Sequence, residues 1–116
     1  VPRTLIVDDS EQFLASAERL LGVGGVDIVG TARSRSEAMR LASELHPDVV
    51  LVDIDLGGES GLDVAHDLAA LVPSPVVVLI STHTQADVEE VVAVSPAVGF
   101  IPKSRLDAAA VLALLP

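Results

Sequence analysis

Two adjacent aspartates, Asp8-Asp9, follow the apolar run Leu5-Ile6-Val7, and Asp53-Ile54-Asp55 follows Val49-Val50-Leu51-Val52. Ser81 follows Val76-Val77-Val78-Leu79-Ile80, and Lys103 comes just after Val98-Gly99-Phe100-Ile101. If these runs are strands of one open parallel sheet, their carboxyl ends share an edge, and ligands bind at such an edge. Asp8, Asp9 and Asp53 would then lie together, and their mutual repulsion would need a countercharge. Lys103 supplies one, and a divalent cation with oxygen ligands supplies the rest. With no Cys and no suitably placed His, the choice is Mg²⁺ or a relative. Carboxylates, Mg²⁺, a lysine and the Ser81 hydroxyl make a device for holding a phosphoryl group, whose transfer depends mainly on positioning and charge neutralisation. Taken singly, Asp8-Asp9 also fits a strand end and helix cap, Lys103 a surface lysine, and Phe100 a core ring. Asp53 is harder to set aside, because a carboxylate beside four apolar residues needs a partner.

The elements that must position these groups alternate between two periods. After Asp9, Ser10 reads as an N-cap, and Phe13, Leu14, Ala17, Leu20 and Leu21 recur at helical spacing until Gly22-Val23-Gly24-Gly25. Asp27–Ala32 reads as a strand. Ser34 or Ser36 then caps a helix with the stripe Ala38, Met39, Leu41, Ala42 and Leu45. His46-Pro47-Asp48 is a turn, and Val49–Val52 is the unbroken run of a central strand buried on both faces. A glycine-rich loop, residues 56–61, leads to a helix through Leu62, Val64, Ala65, Leu68 and Leu71. Pro73-Ser74-Pro75 precedes the fourth strand, and a helix from about Gln85 to Val92 precedes the fifth. Ser104 is expected to cap a last helix from Leu106 to Leu115. Strands alternating with helices imply a parallel sheet with right-handed crossovers and helices on both faces.

The 116 residues suit one domain over 1–116, with half of them apolar. No apolar run approaches the ~18 residues of a membrane span. No basic stretch followed by an apolar run opens the sequence, so no secretion signal is expected and the cytoplasm is the expected location. The absence of Cys excludes a disulfide scaffold and thiol chemistry. A net charge of −10 argues against direct binding to nucleic acid or anionic membrane. With no Trp or Tyr there is no aromatic stacking platform. Gly22-Val23-Gly24-Gly25 follows a helix and so is no dinucleotide loop, and Glu59-Ser60-Gly61 lacks the second glycine of a nucleophile elbow, having Leu62 there.

On Leu5-Ile6-Val7-Asp8-Asp9-Ser10, on Val50–Leu56 with Gly58 and Gly61, on Val78-Leu79-Ile80-Ser81-Thr82 and on Gly99-Phe100-Ile101-Pro102-Lys103, the chain resembles the receiver domain of two-component response regulators. The resemblance covers essentially the whole length. It implies a flavodoxin-like (βα)5 doubly wound sheet with strand order 2-1-3-4-5. It further implies that Asp53 is the phosphoacceptor, taking a phosphoryl group from a sensor histidine kinase. Asp9 and Asp53 would bind Mg²⁺ by their side chains, Asp55 by its backbone carbonyl and Asp8 through water. Ser81 and Lys103 would hold the phosphoryl oxygens, and Phe100 would be the switch ring. Thr82 and His83 would modulate rate, Thr82 by narrowing access and His83 by affecting water; His46 and His66 are expected to be solvated. The sequence departs from the family at Ser104 and Gly57, where Pro is common, and at Thr82, where a smaller residue is usual.

Such a domain is not an enzyme beyond its own phosphorylation and dephosphorylation. The rival is a haloacid-dehalogenase-like Mg²⁺-dependent phosphatase, which Asp53-Ile54-Asp55 also resembles. Gly57 stands where that family has Thr or Val, the motif lies mid-chain, and no residues remain for a cap. A purely structural module is the third class. Output would run through an effector domain or protein, with the chain either a stand-alone receiver or the receiver of a longer transcriptional regulator. The last helix shows almost no polar face, which predicts a homodimer or effector docking there.

Overall fold

The computed structural model describes residues 1–82 and 85–116, and the side chains of these apart from 85–87. Strands β1 (Arg3–Val7), β2 (Asp27–Ala32) and β3 (Val49–Asp53) alternate with helices α1 (Glu11–Gly22) and α2 (Arg35–Leu45). Two short strands, β4 (Asp55–Leu56) and β5 (Glu59–Ser60), precede α3 (Gly61–Ala69). The chain continues through β6 (Val76–Ser81), α4 (Gln85–Ala93), β7 (Gly99–Pro102), a 3₁₀ turn over Lys103–Arg105, and α5 (Ala108–Ala113).

The five longer strands form one parallel sheet in the order β2-β1-β3-β6-β7. This is the flavodoxin-like order expected, 2-1-3-4-5 when only these five strands are numbered. Successive residues of a strand face opposite sides, and here both sides are covered. Leu5, Val7, Val50, Val52 and Leu79 pack with Ala38, Ala42, Val64 and Leu68 under α2 and α3. Ile6, Leu51, Val78 and Ile80 pack with Leu14, Ala17, Leu21 and Val111 under α1 and α5. The continuous apolar runs of β1, β3 and β6 follow from this double burial.

The helices start where short polar side chains can accept from exposed amides. The Ser10 hydroxyl accepts from the Phe13 amide, and that of Ser34, rather than Ser36, from the Glu37 amide. The last helix departs from expectation. Ser104 lies in the 3₁₀ turn, and Asp107 caps α5 by accepting from the Ala110 amide. Leu106 is extended and buried, so the chain turns inward before the helix begins. Ala108 and Val111 are buried and Leu114 and Leu115 pack against the core, which leaves Ala109, Leu112 and Ala113 exposed on α5. The expected glycine-rich loop is also more ordered than foreseen. Gly57 and Gly58, both with positive φ, make the two-residue turn of the β4–β5 hairpin.

Candidate functional site

Register brings the polar groups together. Val7 pairs with Val52, so Asp8 and Asp53 are the next residues on adjacent strands. Asp53 pairs with Ile80, and Ser81 pairs with Pro102, which puts Ser81 and Lys103 on the same edge. A one-residue slip in any pairing would send these side chains to the other face. Gly61 lets α3 begin directly against the end of β3, because a Cβ there would run into the Asp53 carbonyl. The Gly61 amide instead donates to the Ile54 carbonyl at 2.8 Å.

Asp8 is wholly buried, Asp53 is 6% exposed and Ser81 1%, whereas Asp9 and Asp55 are exposed. Lys103 Nζ stands 2.6 Å from Asp8 Oδ2 and 3.2 Å from Asp53 Oδ2. The Asp55 amide donates to Asp53 Oδ1 at 3.2 Å, and the Ser10 amide to Asp8 Oδ1 at 2.9 Å. Burial pushes the Asp53 carboxyl above its ordinary pKa; Lys103 opposes that rise and Asp8 adds to it. Burial alone would lower the Lys103 ammonium, but Asp8 and Asp53 outweigh it and hold its pKa above the ordinary value.

One oxygen each from Asp8, Asp9 and Asp53 lie within 4.8 Å of one another. Among the described residues, the ammonium set against these carboxylates is that of Lys103. Asp8 Oδ2, fully buried, has that ion contact but no aligned hydrogen-bond donor. An all-oxygen, anionic cluster of three carboxylates fits a hard divalent cation.

Of the residues expected from sequence, Asp8, Asp9, Asp53, Ser81 and Lys103 are gathered at the carboxyl edge. Asp55 is tied to Asp53 by its amide, and Thr82 is exposed beside Ser81. His46 and His66 are exposed as expected, and His83 lies outside the described residues. Phe100 is half-buried in β7 and, with Glu89, Val92, Ala93 and Gly99, lines a cleft of about 230 Å³. The Lys103–Ser104 peptide is trans.

Two contributors escaped the sequence reading. Phe13, read there as helix core, carries the Lys103 ammonium 4.3 Å from its ring centroid. Arg33, in the turn after β2, donates to the Asp9 carbonyl at 3.4 Å and pairs with Glu11 at 3.4 Å. Gly57, noted from sequence only as a departure from proline, leaves space that Asp9 Oδ2 occupies, since a Cβ there would meet that oxygen. The glycine pair was a visible turn signal, but nothing in a single sequence marks which aromatic or arginine faces the site.

The sequence matches the response regulator receiver domain family over residues 4–114. It is 37% identical over 86 residues to the transcriptional regulatory protein PrrA of Mycobacterium leprae, covering 74% of this chain and 36% of that protein. The fold superposes on the signal receiver domain of the response regulator NarL from Mycobacterium tuberculosis with a TM-score of 0.82 at 32% identity, covering 97% of this chain and 94% of that one. A response regulator protein from Burkholderia pseudomallei, solved with a phosphorylated aspartic acid, a calcium ion and citrate, gives a TM-score of 0.84 at 25% identity over 100% of this chain and 67% of that one. The chain spans about a quarter to a third of the length of the curated relatives it matches. No helix among the described residues is long and apolar enough to cross a membrane. With its strand order, its edge cluster and a family match over nearly its whole length, the chain belongs to the response regulator receiver domains of two-component signalling.

Proposed function

We propose that Asp53 is the phosphoacceptor of this receiver, taking one phosphoryl group from a sensor histidine kinase or a small phosphodonor. The observation that carries this is the Asp53 carboxylate, buried at the end of the central strand with Lys103 Nζ at 3.2 Å and the oxygens of Asp8 and Asp9 beside it. An Asp53 oxygen forms the new bond to phosphorus as the phosphorus–nitrogen bond of the donor imidazole breaks, and the imidazole keeps that electron pair and takes up a proton. Lys103 follows the charge from the carboxylate to the phosphoryl oxygens, which a compact ammonium on a flexible stem can do. The Ser81 hydroxyl donates to a phosphoryl oxygen. Asp9 and Asp53 by their side chains, Asp55 by its carbonyl and Asp8 through water would hold Mg²⁺. That ion would neutralise the charge crowded between carboxylates and phosphoryl group. The phosphorylated aspartic acid and calcium ion of the Burkholderia relative support the assignment.

The phosphoryl group adds charge of about −1.5 to −2, and the switch it biases runs through Phe100. Phe100 pairs with Leu79, two residues before Ser81, and lines a cleft of about 230 Å³ together with Glu89, Val92 and Ala93 of α4. The chain acts in the cytoplasm without turnover, and its effect passes to an effector domain or protein, with the exposed Leu112 face of α5 as the surface for a second copy. Binding no nucleic acid itself accords with its net charge of −10.

The test is intact mass after incubation with Mg²⁺ and acetyl phosphate. One added phosphoryl group is expected, and none with Asp53→Asn. Labelling that persists in that variant rejects the assignment, and repeated release of phosphate from many esters would favour the phosphatase reading.

A further inference from the structure

We infer that Phe13 is a positioning residue for Lys103, holding its ammonium over the ring so that it can serve Asp8 and Asp53 at once. The inference deepens the phosphoacceptor reading and rests on it. Among the described residues, Lys103 Nζ stands 2.6 Å from Asp8 Oδ2, 3.2 Å from Asp53 Oδ2 and 4.3 Å from the Phe13 ring centroid. A lysine with a four-carbon stem loses much rotamer freedom on being held in one place. Two carboxylates fix its reach toward the sheet edge, but neither stops the ammonium from swinging toward water. An aromatic face within ~6 Å attracts a cation through the ring quadrupole, more strongly where water is excluded. Lys103 is only 16% exposed in its side chain, so the site meets that condition.

Phe13 is itself placed firmly. Its amide donates to the Ser10 hydroxyl at 3.2 Å, which fixes the first turn of α1, and its side chain packs on the core beneath α1 and α5. Ser10 follows directly on Asp8-Asp9, so one helix start sets both the buried carboxylate and the ring that face the lysine. An aliphatic side chain could fill the same volume but would present no negative face. The ring therefore orients Lys103, and substitution is felt in the phosphoryl-transfer step more than in donor binding.

The experiment compares wild type with Phe13→Leu, Phe13→Met and Phe13→Tyr. The first readout, on the cation-free protein, is the proton shifts of the Lys103 terminal methylene. A ring beneath the ammonium moves them upfield, and the displacement should vanish in Phe13→Leu and Phe13→Met and persist in Phe13→Tyr. The second is the rate of Asp53 phosphorylation by acetyl phosphate with Mg²⁺, separated into maximal rate and half-saturating donor concentration. The maximal rate should fall about three- to tenfold in the Leu and Met variants, with half-saturation little changed, and Phe13→Tyr should retain most of it. Equal rates in all four proteins, or equal losses in all three variants, would overturn the proposal, as would Lys103 shifts that ignore the ring. If wild type takes no phosphoryl group, the receiver chemistry proposed above falls separately, and the shifts still decide the contact.

Discussion

The Cα of Gly57 lies so close to the carboxylate of Asp9 that a Cβ added there would stand 2.6 Å from Asp9 Oδ2. Its φ is +52°, a left-handed conformation that proline cannot adopt and other side chains adopt at a cost. Gly57→Ala is therefore expected to lower stability by about 1 kcal/mol and, by displacing Asp9, to weaken Mg²⁺ binding as well. Gly58, with φ of +100° and open space around it, separates the two effects. Gly58→Ala should cost stability while leaving the Mg²⁺ titration near that of wild type.

Asp53→Asn should stabilise the protein in chelator while abolishing its phosphorylation. Burial disfavours the charged carboxylate there, and asparagine keeps the shape and an acceptor for the Asp55 amide. The expected gain is on the order of 1 kcal/mol, or about 4 °C in thermal midpoint. A lower midpoint would mean that the Lys103 contact outweighs the burial of charge.

Removing the cation should lower the midpoint of wild type and do little to Asp9→Ala. A ligand that binds only the folded state stabilises it by about 2.7 kcal/mol at one hundred times its dissociation constant. Thermal denaturation in Mg²⁺ and in chelator checks this. An equal response from both proteins would place the ion elsewhere than among Asp8, Asp9 and Asp53.

The pH dependence of the cation-free protein has a definite sign. Folded Asp53 keeps its proton to higher pH than it does in the unfolded chain, so the folded state binds more protons across that window. Stability should fall as pH rises from about 4 through the raised Asp53 value. Lys103 is raised above its ordinary 10.5, so its contribution is whole below that pH and is lost as pH rises through the raised value. Urea denaturation across both ranges should show the first slope vanish in Asp53→Asn and the second in Lys103→Gln.

Much of this architecture is legible in the residues. Leu5–Val7, Val49–Val52 and Val76–Ile80 announce buried parallel strands, and the polar residue after each marks the shared edge. Ser10 and Asp27–Ala32 stand as read. What was not legible depends on contacts across the fold. Ser104 is a sound cap by type, yet Leu106 must turn into the core first, so Asp107 takes the role. The apolar character of α5 reads as an uncovered surface until Leu114 and Leu115 are seen against the core. Phe13 sits at helical spacing with Leu14 and Ala17, and no local signal distinguishes a ring that packs from one that also faces an ammonium.

Lys103 meets Asp53 across fifty residues of chain, from the last strand to the middle one. While the protein is being made, the ribosome releases all three clustered aspartates long before the lysine that offsets them. A nascent chain ending at β6 carries Asp53 without the ammonium that stands 3.2 Å from it, so the proposed acceptor site is completed only when the last part of the fold docks.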